Sequence, residues 1–234
     1  MEPIKHRKLY EQVLDQLISA ISSATFPPGS QLPSERELMV QFGVGRPAVR
    51  EAMHTLQQMG LVRISHGERA RVINPTPNAL IDQISSAMIM MLATDARGLE
   101  HLKEARLLLE MGLVRIAARR ATPADIARLG DIQRALHAAR GDQPKFIAND
   151  MEFHAAIAGI SGNTLIAAVA KGMLQWLSRF KTELVSVRGA EKLTIEEHER
   201  IARAIEAGDE EAAAKAMADH LTRANALYAQ LVTQ

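Results

Sequence analysis

Apolar residues recur along this chain at two spacings, and the change from one to the other divides the sequence. Between residues 8 and 24, Leu9, Val13, Leu14, Leu17, Ile18 and Ile21 return every three or four positions, the period of an amphipathic helix. Ser34 then stands three residues before Glu37, the pair that closes a reciprocal capping box, and Leu38, Met39 and Phe42 supply the buried face of the short helix it opens. Gly43-Val44-Gly45 permits a tight turn. Pro47 suits the first turn of a third helix, where an N–H would have no intrahelical partner. That helix is predicted to run to about Met59, with Val49, Ala52, Met53 and Leu56 on one stripe. After Gly60 the pattern changes: Leu61, Val62 and Ile64 predict a short strand, 65–69 a polar turn and 70–73 a returning strand.

Three helices followed by a hairpin describe a winged helix-turn-helix. Turn residues cluster at 26–33 (FPPGSQLP) and again at 72–78 (VINPTPN), and the second cluster is taken as a boundary between a domain over 1–75 and another over 79–234. Beyond it the pattern is helical throughout, over roughly 79–93, 99–120, 123–140, 144–160, 163–186, 194–207 and 210–232. Asn163 and Thr194 are predicted N-caps, the latter boxed by Glu197. Without a repeat of fixed period this half is a compact bundle and not a solenoid, so the fold class is mainly α.

Composition narrows the classes of function. At 234 residues and 47% hydrophobic, the chain can bury a core in each of two domains. Cysteine is absent, which fits a reducing cytoplasm and leaves only nitrogen and oxygen to hold a metal. The start of the chain has no secretory h-region, and the longest apolar run, near 87–93, is far too short to cross a bilayer. Aromatic content of 3% argues against stacking platforms for single strands. Net charge is +1, and residues 1–75 carry nine basic and seven acidic side chains, so charge alone does not indicate nucleic acid.

Pattern does. Opposite the apolar stripe of the third helix lie Arg46, Arg50, His54 and Gln57, with both arginines near the helix start, where a recognition helix meets base edges. Arginine binds guanine O6 and N7 through two parallel hydrogen bonds. Arg36 on the second helix is placed for a phosphate or a further base, and the hairpin adds His66, Arg69 and Arg71 to the same small domain. One short helix reads few bases, so a homodimer on two-fold symmetric double-stranded DNA is expected.

The stretch QLPSERELMVQFGVGRPAVREAMHTLQQMGLVRISHGERARV, residues 31–72, resembles the DNA-binding domain of the GntR family of transcription regulators, FadR-like branch. The resemblance implies DNA contacts by Arg36, Arg46 and Arg50, and entry of His66 and Gly67 into the minor groove. The wing departs from many members in lacking a second tip glycine, reading His66-Gly67-Glu68-Arg69, and is similar to that of a sialic-acid repressor of the same branch.

Downstream, Asp150 and His154 are four residues apart on one helical face and can share a metal, while His198 and His220 stand on two later helices. Such a set suits zinc, and also nickel or manganese. This region resembles the FCD effector domain, a bundle of six or seven helices, whose metal-binding members carry a D-x-x-x-H followed by one histidine on each of two later helices. The resemblance makes Asp150, His154, His198 and His220 the ligands, and turns Arg106 into the cavity beside them, where a guanidinium suits a small carboxylate effector such as a sugar acid. The competing reading of Arg106 is an i,i+4 pair with Glu110. The function so implied is a metabolite-responsive repressor, and not an enzyme. A metal-dependent hydrolase using the Asp/His set is the lesser reading, since no HExxH motif or separate general base is identifiable, and a non-specific architectural DNA binder fits poorly with so weak a charge asymmetry. Met88, Met90 and Met91 are read as core or dimer packing, and Trp176 as core.

Overall fold

The structure is a computed structural model describing residues 7–65, 68–179 and 190–232, with side chains of the last helix through Arg223. The chain divides into two compact units, Met1–Leu80 and Ile81–Gln234.

In the first unit, α1 (Leu9–Ser22) buries Val13 and Leu17 against α3 (Arg46–Gln58), and α2 (Glu35–Phe42) adds Leu38 to the same core. The capping box at Ser34 forms as expected: the Glu37 N–H donates to Ser34 Oγ at 3.3 Å and the Ser34 N–H to Glu37 Oε2 at 2.6 Å. Gly43 closes α2 in the left-handed region at φ 62°, where a side chain would be strained. Gly45 caps α3 and Pro47 lies in its first turn. At the far end the Leu61 N–H bonds to Leu56 O and the Gly60 N–H to Gln57 O, both at 3.0 Å, which satisfies two terminal carbonyls.

The wing strands are shorter than predicted. β1 (Val62–Arg63) pairs with antiparallel β2 (Arg71–Val72), Val62 opposite Val72 and Arg63 opposite Arg71. Both valines are buried and both arginines exposed, so a two-residue register suffices to put one face on the core and a basic face outside. A third row was not foreseen. Gln31 bridges Arg71, the Leu32 N–H donates to Ala70 O and the Val72 N–H to Ser30 O, each at 2.8 Å, so the Pro/Gly cluster at 26–33 both turns the chain and extends the sheet.

The second unit comprises α4 (Pro77–Thr94), which enters it at Ile81, then α5 (Gly98–Arg120), α6 (Pro123–Ala138), α7 (Gln143–Ile160), α8 (Thr164–Ser178), α9 (Ala190–Glu206) and α10 (Glu210–Val232). Helix α5 is the pivot, packing on α7, α8, α9 and α10. Val114, Phe153, Ile157, Ile201, Ile205, Met217 and Leu221 bury the principal core. Asn163 caps α8 as expected, accepting from the Leu165 and Ile166 N–H groups at 3.1 and 3.2 Å. Residues 180–186, predicted to continue this helix, lie outside the described residues.

One expectation is corrected. Thr194 is inside α9 and caps nothing: Ala190, Glu191, Lys192 and Leu193 are ready helix formers that continue the helix ahead of it, and its hydroxyl accepts instead from Arg223 Nη2 at 3.1 Å. Of the methionines, Met88 packs in the cluster with Leu92, Met173 and Leu177, whereas Met90 and Met91 are exposed. Trp176 is buried as read, its indole N–H donating to Ser85 Oγ at 2.9 Å.

Gly98 begins α5 directly beneath the end of α4. A Cβ there would stand 2.5 Å from Leu92 O and 2.8 Å from Leu92 Cα, backbone atoms that cannot rotate aside. Gly98→Ala is therefore expected to cost about 1–3 kcal/mol through displacement of α4, read as a lowered denaturant midpoint. A midpoint equal to the parent's would show that this approach is not close-packed.

Candidate functional site: DNA-reading helix and buried histidine centre

On α3 the four stripe residues Val49, Ala52, Met53 and Leu56 are buried, and Arg46, Arg50, His54 and Gln57 are exposed, as the helical spacing requires. Arg36 is exposed on α2. Arg46 donates through Nε to Glu35 Oε2 at 3.1 Å, a bond that leaves the two terminal nitrogens on the outer edge of the guanidinium. Glu37 does for the wing what Glu35 does for α3. One oxygen completes the cap at Ser34 and the other accepts from Arg69 Nη2 at 3.2 Å. The Ser34 backbone N–H first, with its hydroxyl and Arg69, holds the Glu37 carboxyl below the usual range, so it stays an acceptor. His66 and Gly67, predicted to enter the minor groove, lie outside the described residues. Sequence reasoning missed the two glutamates as holders of arginines, because the partners are 11 and 32 residues away.

In the second unit, α7 supplies Asp150 and His154, α9 supplies His198 and α10 supplies His220, and all four are buried. Their ligand atoms lie within 4.8 Å of one another. His220 Nε2 is 3.3 Å from His154 Nε2 and 3.4 Å from His198 Nε2, and His198 Nε2 is 3.5 Å from Asp150 Oδ1. A four-coordinate metal with bonds of about 2.0–2.1 Å holds its ligand atoms about 3.4 Å apart, which these three separations match. Phe153 stacks on the His198 ring at 4.1 Å and walls that side with hydrocarbon.

The outer nitrogens explain why the inner ones converge. His154 Nδ1 is hydrogen-bonded to Glu110 Oε2, and His220 Nδ1 to Glu197 Oε2 at 2.8 Å. Each carboxylate accepts a hydrogen bond from Nδ1–H, which leaves the Nε2 lone pair aimed at the centre, the usual support of a metal-bound imidazole. Burial, opposed by Glu197, lowers the His220 pKa and favours the neutral ring that a metal needs. Burial alone would raise Glu110, but Arg106 and His154 overcome it and hold the carboxyl at about 2. Arg223 anchors Glu197 through both its oxygens, at 2.6 and 2.5 Å.

Arg106 is buried, and its Nε donates to Glu110 Oε1 at 2.5 Å. The i,i+4 pair weighed against a pocket role thus forms inside the bundle, one bond removed from His154. Glu110 was legible only as that pair, and Glu197 only as a helix cap. Their service to the histidines depends on helix packing. With both carboxylates engaged by imidazoles and arginines, neither is placed as the separate general base that hydrolysis would require.

Comparison with known proteins adds the decisive observation. Residues 9–72 match the bacterial regulatory proteins of the gntR family and residues 101–223 match the FCD domain. The chain belongs to the GntR family. It is a transcriptional regulator carrying an FCD domain, and a regulator rather than an enzyme. It is 36% identical over 231 residues to the HTH-type transcriptional repressor NanR of Klebsiella aerogenes, covering 98% of this chain and 88% of that one. The NanR of Citrobacter rodentium is 37% identical over 234 residues, with 99% and 90% covered. Among solved structures, a Streptococcus agalactiae GntR protein superposes with a TM-score of 0.64 at 25% identity, covering 91% of this regulator and 97% of that chain. E. coli McbR/YncC, at 21% identity and a TM-score of 0.55, shares the fold over 97% of this chain and 100% of its own. The winged helix-turn-helix and the helical bundle expected from the sequence are those of this family. Among the described residues no helix is long and apolar enough to cross a membrane.

Proposed function

We propose that this regulator is a cytoplasmic, homodimeric repressor whose domains divide near residues 75–79, and whose grip on a two-fold symmetric operator is changed by a small organic acid bound at a metal. Arg46 and Arg50 read guanines from the start of α3, Arg36 adds a backbone or base contact, and His66 and Gly67 of the wing reach the minor groove. Asp150, His154, His198 and His220 hold the metal, zinc by the chemistry of three imidazoles and one carboxylate, with nickel and manganese also compatible. When bound, the metal supplies positive charge and an open coordination position for an anionic ligand. Arg106 faces the same anion, a carboxylate of the kind found in sugar acids such as sialic acid.

The observation carrying this reading is the convergence of three imidazoles, with His220 Nε2 at 3.3 Å from His154 Nε2 and 3.4 Å from His198 Nε2, and with two of the opposite nitrogens held by carboxylates. Where Nδ1 carries the proton, the Nε2 atoms of His154 and His220 both present lone pairs to the centre, and a cation between them relieves their repulsion. Control of the operator then follows from linkage: an acid that favours one arrangement of the DNA-binding units shifts operator affinity, and DNA shifts affinity for the acid by the same factor.

The test is operator binding by zinc-loaded and zinc-stripped protein across a panel of sugar acids and small hydroxy acids. One acid is expected to shift affinity about 5- to 150-fold with zinc present, and to have no effect on His198→Ala. A panel without effect, or an effect that survives loss of His198, contradicts the reading.

A further inference from the structure

Among the contacts of the buried centre, those of Glu110 join two ligands of different charge. Its Oε1 accepts from Arg106 Nε at 2.5 Å and its Oε2 from His154 Nδ1. Both side chains of the Arg106–Glu110 pair are nearly inaccessible, at 6% and 8% of their surface, so little solvent screens the exchange of charge between them. Arg106 and Glu110 share α5, one helical turn apart, and their separation is therefore set by that helix alone. His154 comes from α7. Glu110 is the atom-to-atom link between the arginine offered to an anion and a histidine offered to a cation.

We propose that Glu110 is a positioning residue that makes anion recognition at Arg106 and metal retention at His154 one linked equilibrium. The proposal rests on the metal-and-acid reading above and adds the residue that couples its two halves. With no anion bound, the charge of Glu110 offsets that of Arg106. The other oxygen fixes the His154 tautomer and turns its Nε2 toward that of His220. An anion engaging Arg106 relieves the pull of the guanidinium on Glu110, and more of the carboxylate charge is left to support His154. Metal and anion each strengthen the other, by the same factor in both directions.

Removing the charge of Glu110 should move the two affinities in opposite directions. Metal is held less well, because His154 loses its anionic support. An anion is held better by the metal-free protein, because Arg106 loses the carboxylate that offsets it. A general packing defect would weaken both. Glu197 is the internal control: it supports His220 in the same way but is paired with Arg223 and not with Arg106.

The experiment uses the full chain, with zinc affinity read by competition against a chromophoric chelator and acetate binding read from the thermal midpoint of metal-free protein. In Glu110→Gln, zinc is expected to bind about 10- to 100-fold more weakly. The acetate concentration giving half its effect should fall on the order of ten-fold. Glu197→Gln should weaken zinc to a similar degree and leave the acetate response at the parental level. The double variant Arg106→Gln with Glu110→Gln removes both charges, so it tests the zinc arm even if the single variant does not fold. It should bind zinc weakly and lose the gained acetate response. Parental zinc affinity in either Glu110 variant overturns the proposal, as does a parental or weakened acetate response in Glu110→Gln. Failure of the parent protein to bind zinc, or zinc binding that survives His198→Ala, defeats instead the metal reading on which the proposal stands.

Discussion

On the proposed dimeric, guanine-reading function, Arg46→Ala in both copies is expected to lose about 2–6 kcal/mol of operator binding, each half-site giving up one bidentate guanine contact worth about 1–3 kcal/mol. The loss is one of recognition and not of folding. The Arg46 side chain is 69% exposed and is bonded to Glu35, a surface pair worth at most about 1 kcal/mol. Binding to scrambled duplex should therefore change far less than binding to an operator selected from a random pool, at one fixed salt concentration. Arg46→Lys should recover charge without recovering selectivity, because an ammonium cannot make the two parallel bonds. An equal loss on both DNAs would assign Arg46 to the phosphate backbone and remove it from base reading.

The second large effect is on stability. A metal bound only by the folded state adds about 2.7 kcal/mol at a hundred times its dissociation constant and about 4.1 kcal/mol at a thousand times. Stripping zinc with a chelator should thus lower the midpoint of the helical unit by about 5–16 °C, at 2–4 °C per kcal/mol for a chain of this size. His198 is fully buried and stacks on Phe153, so His198→Ala should begin from a lower midpoint and then show no further response to chelator. A parent protein whose midpoint is indifferent to both chelator and added zinc would mean that the four side chains are held by their own hydrogen bonds.

The parts of the molecule that could be read ahead of the structure are those fixed by short-range chemistry. The Ser34–Glu37 box, the left-handed Gly43, the capping Gly45 and the buried stripe on α3 each follow from residues within a few positions of one another. Asp150 and His154 are one helical turn apart and were legible for the same reason, while His198 and His220 came from resemblance to the FCD domain. What escaped was long-range. The pairing of Gln31 with Arg71 adds a row to the wing, and nothing in FPPGSQLP distinguishes an edge row from a turn. Glu110 and Glu197 support histidines 44 and 23 residues away, which only the packing of α5 on α7 and of α9 on α10 makes adjacent. Thr194 shows the opposite failure: a local motif that matched a cap was drawn into a tertiary bond with Arg223.

The electrostatic arrangement divides the same way. In the first unit Arg46 and Arg69 remain exposed and are each restrained by a glutamate on α2, which suits contact with a polyanion from solution. In the second unit Arg106 and Arg223 lie against carboxylates that support histidines, which suits tuning of a small enclosed site. One residue type thus does two jobs, set by burial.

Replacement of guanines in the operator half-sites by 7-deazaguanine, which deletes the N7 acceptor and leaves Watson–Crick pairing intact, probes the contact of α3 with DNA most directly. Parent protein should bind the modified duplex about 5- to 100-fold more weakly, and Arg46→Ala, Arg50→Ala protein should not distinguish the two duplexes. Parent protein that binds both duplexes equally would show that the head of α3 does not read guanines in the major groove.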